Sequence, residues 1–63
     1  MDPNANLKEQ LSLSLELLVA FERNEKPGGK YEYDIARLAE LIIALNGWIT
    51  KGGFLPDNWQ LKG

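Results

Sequence analysis

The chain has 63 residues, enough for one domain, and a fold of this size hides only about 60% of the surface of its unfolded form. It contains neither cysteine nor histidine, which excludes disulfides, thiolate chemistry, the commonest zinc ligand and the usual neutral-pH general base. Seven Lys and Arg stand against nine Asp and Glu, spread without a block of one sign, so no basic footprint for nucleic acid is present.

Asp2 and Pro3 open the chain as a helix N-cap followed by a first helical position, where the missing N–H of proline costs nothing. Asn6 followed by Glu9 offers a second start, resembling a capping box. On a helical wheel Leu7, Leu11, Leu15, Leu17, Leu18 and Phe21 gather on one broad face, opposite Lys8, Glu9, Ser12, Glu16 and Arg23. The run Leu11-Ser12-Leu13-Ser14-Leu15-Glu16-Leu17 also alternates as a half-buried strand would. Helix is the preferred reading, because Leu, Glu and Lys are good helix formers, β-branched residues are scarce here, and no convincing partner strand exists. The first helix is therefore expected over about residues 3–24.

Asn24-Glu25-Lys26-Pro27-Gly28-Gly29-Lys30 is the one break in composition, and proline with paired glycine prevents a helix from running through it. Residues 25–30 are thus the predicted connector. Pro27-Gly28-Gly29-Lys30 has part of the pattern of a phosphate-binding loop, but the first glycine of that motif is missing, Tyr31 stands in place of its Ser or Thr, and no strand precedes it. A plain connector is the better reading.

The second helix is expected over about residues 31–51. Asp34 is a candidate N-cap, although Tyr31 lies in register with Ile35 and Leu38 and permits a start one turn earlier. Ile35, Leu38, Leu41, Ile42, Leu45, Trp48 and Ile49 share one side of the wheel, with Arg37, Glu40, Ala44 and Lys51 on the other. Gly47 within the helix indicates either a close approach of another element or simple tolerance. Lys51 suits the negative end of the helix dipole, Gly52 can adopt a left-handed cap, and Pro56 bars a restart.

The tail, residues 52–63, carries Phe54, Leu55 and Trp59, more apolar bulk than a disordered end usually has. Phe54 and Leu55 are placed to touch the last turn of the helix, as in a Schellman ending, and Pro56-Asp57-Asn58-Trp59 reads as a turn presenting Trp59 to a groove.

The expected fold is all-α, a single domain formed by a two-helix antiparallel hairpin with a short aromatic tail. Each helix carries an apolar arc wider than the stripe of an ordinary surface helix, with Leu13, Val19, Ala36 and Ile43 at the edges, and one neighbour per helix cannot cover it. Pairing two hairpins into a four-helix bundle gives every helix two neighbours. A homodimer is the first expectation, with Leu11, Leu15, Leu18, Phe21, Leu38, Ile42, Leu45 and Ile49 as its self-association residues. The second is a host protein contacted through Trp48, Phe54, Leu55 and Trp59, because aromatic side chains dominate binding hot spots. Packing within the core or dimer competes for the same aromatic residues.

No cofactor, metal or catalytic site is expected: Glu32, Asp34 and Glu40 resemble a cap and a solvated helix face rather than a reacting pair, so the chain does not read as an enzyme. DNA binding by a helix-turn-helix is disfavoured by the long connector and the few basic residues of the second helix. No apolar run approaches the length of a membrane span, and Met1-Asp2-Pro3-Asn4 lacks the basic and apolar regions of a secretory signal, so a soluble, cytoplasmic protein is expected.

The ending from Leu45 to Trp59, with Gly52-Gly53-Phe54-Leu55-Pro56 between Trp48 and Trp59, resembles the C-terminal segment of short uncharacterised proteins encoded by bacteria and phages, and Asp2-Pro3-Asn4-Ala5 is similar to their opening. The resemblance spans about half the chain and carries no activity. It implies a bacterial or phage origin and a recurrent structural use of the ending.

Overall fold

The computed structural model describes residues 1–24 and 30–61. It consists of α1 (Pro3–Glu22), α2 (Lys30–Thr50) and a short 3-10 turn (Asp57–Trp59), and no strand occurs among the described residues. The alternation from Leu11 to Leu17 is therefore accommodated in a helix. Most of the expected connector, residues 25–29, lies outside the described residues.

Asp2 caps α1 as expected: its Oδ1 accepts from the backbone N–H of Asn4 at 2.9 Å and of Ala5 at 3.3 Å, and Pro3 follows at the first helical position. These bonds satisfy two of the donors that a helix start leaves open. Asn6 is not a second cap. It is buried inside α1, donating from Nδ2 to the Leu41 carbonyl at 3.0 Å while Oδ1 accepts from Gln10 Nε2 at 2.6 Å. The helix stops at Glu22, two residues short of the expected end, and Asn24 adopts φ +58° with its N–H on the Phe21 carbonyl. Asparagine tolerates this left-handed conformation better than most residues, which makes it a workable terminator before the glycines are reached.

α2 begins at Lys30, so Asp34 lies in its second turn rather than at its cap. Asp34 is buried, and its Oδ2 has no hydrogen-bond partner among the described residues. The other end follows the sequence closely. Gly52, at φ +91°, donates to the Ile49 carbonyl, and Gly53 donates to the Trp48 carbonyl at 2.9 Å. This is the paired bonding of a Schellman ending. A Cβ on Gly53 would overlap the Trp48 ring, whereas a Cβ on Gly47 would meet nothing within 4 Å. Gly47 is thus simply tolerated, and Gly53 is the glycine at a close approach.

The chain then folds back over the end of the hairpin. Trp48 Nε1 donates to the Phe54 carbonyl at 2.9 Å, and the two rings meet edge to face at 5.5 Å. Pro56 is fully buried, and the backbone N–H of Asp57 donates to Asn4 Oδ1 at 2.7 Å. These contacts tie the C-terminal segment to both ends that meet there, the start of α1 and the finish of α2.

The interior between the helices is formed by Leu7 and Ala20 of α1 with Leu41 and Leu45 of α2, flanked by half-buried Leu13, Leu17 and Leu38. Glu9 and Arg37 bridge the helices on one side, with Nε to Oε2 at 2.7 Å and Nη2 to Oε1 at 3.0 Å. The molecule measures 41 × 23 × 14 Å. Its thinnest dimension is close to the roughly 10–12 Å diameter of one helix with side chains, so the hairpin forms a single layer.

Candidate functional site

The residues expected to mediate self-association divide into two sets. Leu45 is only 2% exposed and belongs to the interior of its own hairpin, and Leu38 and Ile49 are half-buried. Leu45 cannot offer its side chain to another molecule without unfolding, which corrects its placement at the surface. Leu11, Leu15, Leu18, Phe21 and Ile42 are exposed, with Leu18 at 59% and Ile42 at 50%, and Ile35 joins them. Wheel position put all these side chains on one broad arc but could not tell which part of it would face the neighbouring helix. In α1 the interior is centred nearer Leu13, Leu17 and Ala20, leaving Leu11, Leu15 and Leu18 outside.

The aromatic tail is likewise divided. Trp48 is half-buried and hydrogen-bonded within its own chain, while Phe54, Leu55 and Trp59 keep 57%, 39% and 47% of their surface. The turn at Asp57–Trp59 is closed by the Trp59 N–H on the Pro56 carbonyl, and Gln60 Nε2 reaches the Leu55 carbonyl. Between this turn and α1 lies an open depression of about 350 Å³ lined by Asn4, Leu7, Lys8, Leu11, Asp57 and Asn58. Its volume is at the low end of small-molecule sites, about 300–1,000 Å³, and Leu11 makes it continuous with the exposed leucines of α1.

The charged side chains mark a different side. Arg37 holds the Glu9 carboxylate through two parallel hydrogen bonds and lies 3.5 Å from Glu40. The hydrogen bonds from Arg37 hold the pKa of Glu9 below its ordinary 4.5. A depressed carboxylate pKa contributes stability in full above the ordinary value and loses it as pH falls through the lowered one. Glu9→Gln is therefore expected to melt slightly below the parent protein near pH 7, the difference closing in acid and in high salt, as thermal melts across pH and ionic strength will show.

Neither Asn6 nor the Glu9–Arg37 pair was singled out as a link between the helices by the sequence pattern. Asn6 has the residue type of a cap, and Glu9 lies on the polar side of its wheel. The one available signal was indirect: a polar residue at position 6, inside the first two turns and beside Leu7, is a candidate for a buried contact. Among the described residues no group of three or more Asp or Glu side chains gathers where it could hold a metal ion, and no helix is long and apolar enough to cross a membrane. Comparison with protein-family models, curated proteins and solved structures gave no match to this chain.

Proposed function

We propose that this protein is a non-enzymatic interaction component of a bacterial or phage cytoplasm and that it works as a homodimer, two hairpins closing a four-helix bundle. The observation that carries this reading is exposed area. The single chain presents 4998 Å² to solvent, whereas a compact folded monomer of 7.1 kDa presents about 4,100 Å². The excess of about 900 Å² per subunit is close to the roughly 800 Å² that each partner contributes to a standard interface. The exposure of Leu11, Leu15, Leu18, Ile35 and Ile42 supports the same reading. The tied-down tail supports a structural part for Trp48 and Phe54 at the hairpin end, in preference to capture of a host protein.

Sedimentation equilibrium combined with far-ultraviolet circular dichroism on dilution tests the proposal. A species of twice the chain mass at micromolar concentration, losing helicity as it dissociates, is the expected result. A monomer that keeps its full helicity at every concentration would overturn it.

A further inference from the structure

The two broad sides of the hairpin differ in chemistry, and helix geometry shows which exposed residues share a side. With about 100° per residue, and with Asn6 and Leu17 of α1 and Leu41 and Leu45 of α2 directed across the hairpin, Glu9 and Arg37 are rotated about 60–70° toward one common side. Their ion pair confirms that these rotations coincide in space. Rotation in the opposite sense must then bring residues together on the other side. Leu11 and Leu18 lie about 110–130° round in that sense on α1, and Ile35 and Ile42 about 80–100° round on α2, with Leu15 at the outer edge.

Between Leu11 and Leu18 on α1, and between Ile35 and Ile49 on α2, this side carries only Leu, Ile, Ala39, Ser14 and Asn46. Within these spans it has no ionisable group. The ion-pair side carries Glu9, Glu16, Arg37, Glu40 and Lys51. At one end the tail crosses from α2 to Asn4, so the apolar side is bounded by the turn at Asp57–Trp59. The two sides also differ in what burial would cost: charged groups resist desolvation, and aliphatic side chains gain by it.

We infer, building on the self-association reading, that a second copy of this chain covers the Leu11–Leu18 and Ile35–Ile42 side alone, by a two-fold arrangement that leaves the Glu9–Arg37 side in water. A second copy is the occupant because the surplus area matches one half of a standard interface, and because a self-complementary two-fold contact needs a patch free of like charges opposing one another. The hairpin's single-layer thickness of 14 Å leaves this side without a layer behind it, and an identical layer supplies one.

Adjacent residues give the test. Ile42 is on the apolar side, 50% exposed, and Ile43, 72% exposed, faces directly away from α1. Ile42→Glu is expected to weaken the dimer at least about a hundredfold, while Ile43→Glu leaves the dissociation constant unchanged, both measured by sedimentation equilibrium. Because Ile42→Glu can also harm folding, the cysteine-free chain is labelled a second way. The thiol of Ile42→Cys is expected to become protected from a soluble disulfide reagent as protein concentration rises, and that of Ile43→Cys to react equally at all concentrations. A dimer that tolerates Ile42→Glu, or that protects position 43 and not 42, would overturn this choice of side while leaving self-association intact. A parent chain that is monomeric throughout would remove the reading on which the inference rests.

Discussion

Leu45→Ala is expected to lower the melting temperature by about 10 °C or more, and to leave much of the protein unfolded at low micromolar concentration. Leu45 is the most enclosed leucine of the hairpin interior, and truncating a buried leucine to alanine costs about 2–5 kcal/mol through lost burial and the cavity left behind. A single core of this size supplies only about 3–5 kcal/mol in all, so the substitution removes most of it. Each kcal/mol moves the midpoint by about 4–8 °C in a domain of 60–100 residues. Thermal melts followed by circular dichroism measure the effect. A loss of only a degree or two would show that the interior around Leu45 is not where the helices are held.

Gly53→Ala is expected to destabilise the protein by about 1–3 kcal/mol, the usual cost of forcing an added carbon into a packed site. The obstruction is a rigid indole. Trp48 cannot swing aside without giving up its hydrogen bond to the Phe54 carbonyl and its edge contact with the Phe54 ring. The substitution should therefore detach the tail as well as lower the melting temperature, visible as a red-shifted Trp48 emission in a Trp59→Phe background. Gly47→Ala is the contrasting case. With open space around it and a helical backbone, it should gain about 0.4–1 kcal/mol by restricting the unfolded chain. Equal effects at the two glycines would refute the close approach at Gly53.

The ends of the elements were readable because caps are local chemistry. Asp2 with Pro3 sets the start of α1, and Gly52 with Gly53 sets the finish of α2, each through bonds spanning a few residues. The failures have the same origin. Asn6 has the side chain of a cap, yet its position as the fourth residue of α1 brings Nδ2 against a carbonyl 35 residues away. Asp34 is an N-cap candidate by residue type, yet α2 begins four residues earlier, at Lys30, close to the alternative start at Tyr31. For Asn6, a short polar side chain serves local and distant backbone groups equally well, and only the path of the other helix selects between them.

The apolar arcs show the division most clearly. Spacing of leucine and isoleucine pointed to a helix in the second segment, residue propensity and the lack of a partner strand decided for helix in the first, and both apolar arcs read as broad, with no need of coordinates. How each helix is rotated about its axis was open, because an arc so wide accepts several rotations with similar burial. Contacts between distant residues fixed it: Asn6 against Leu41 and Glu9 against Arg37 turn Leu7, Leu13 and Leu17 inward and leave Leu11, Leu15 and Leu18 outside. Helix formation depends on neighbours along the chain, whereas the choice of buried side is a property of two helices meeting, which no stretch of one of them contains.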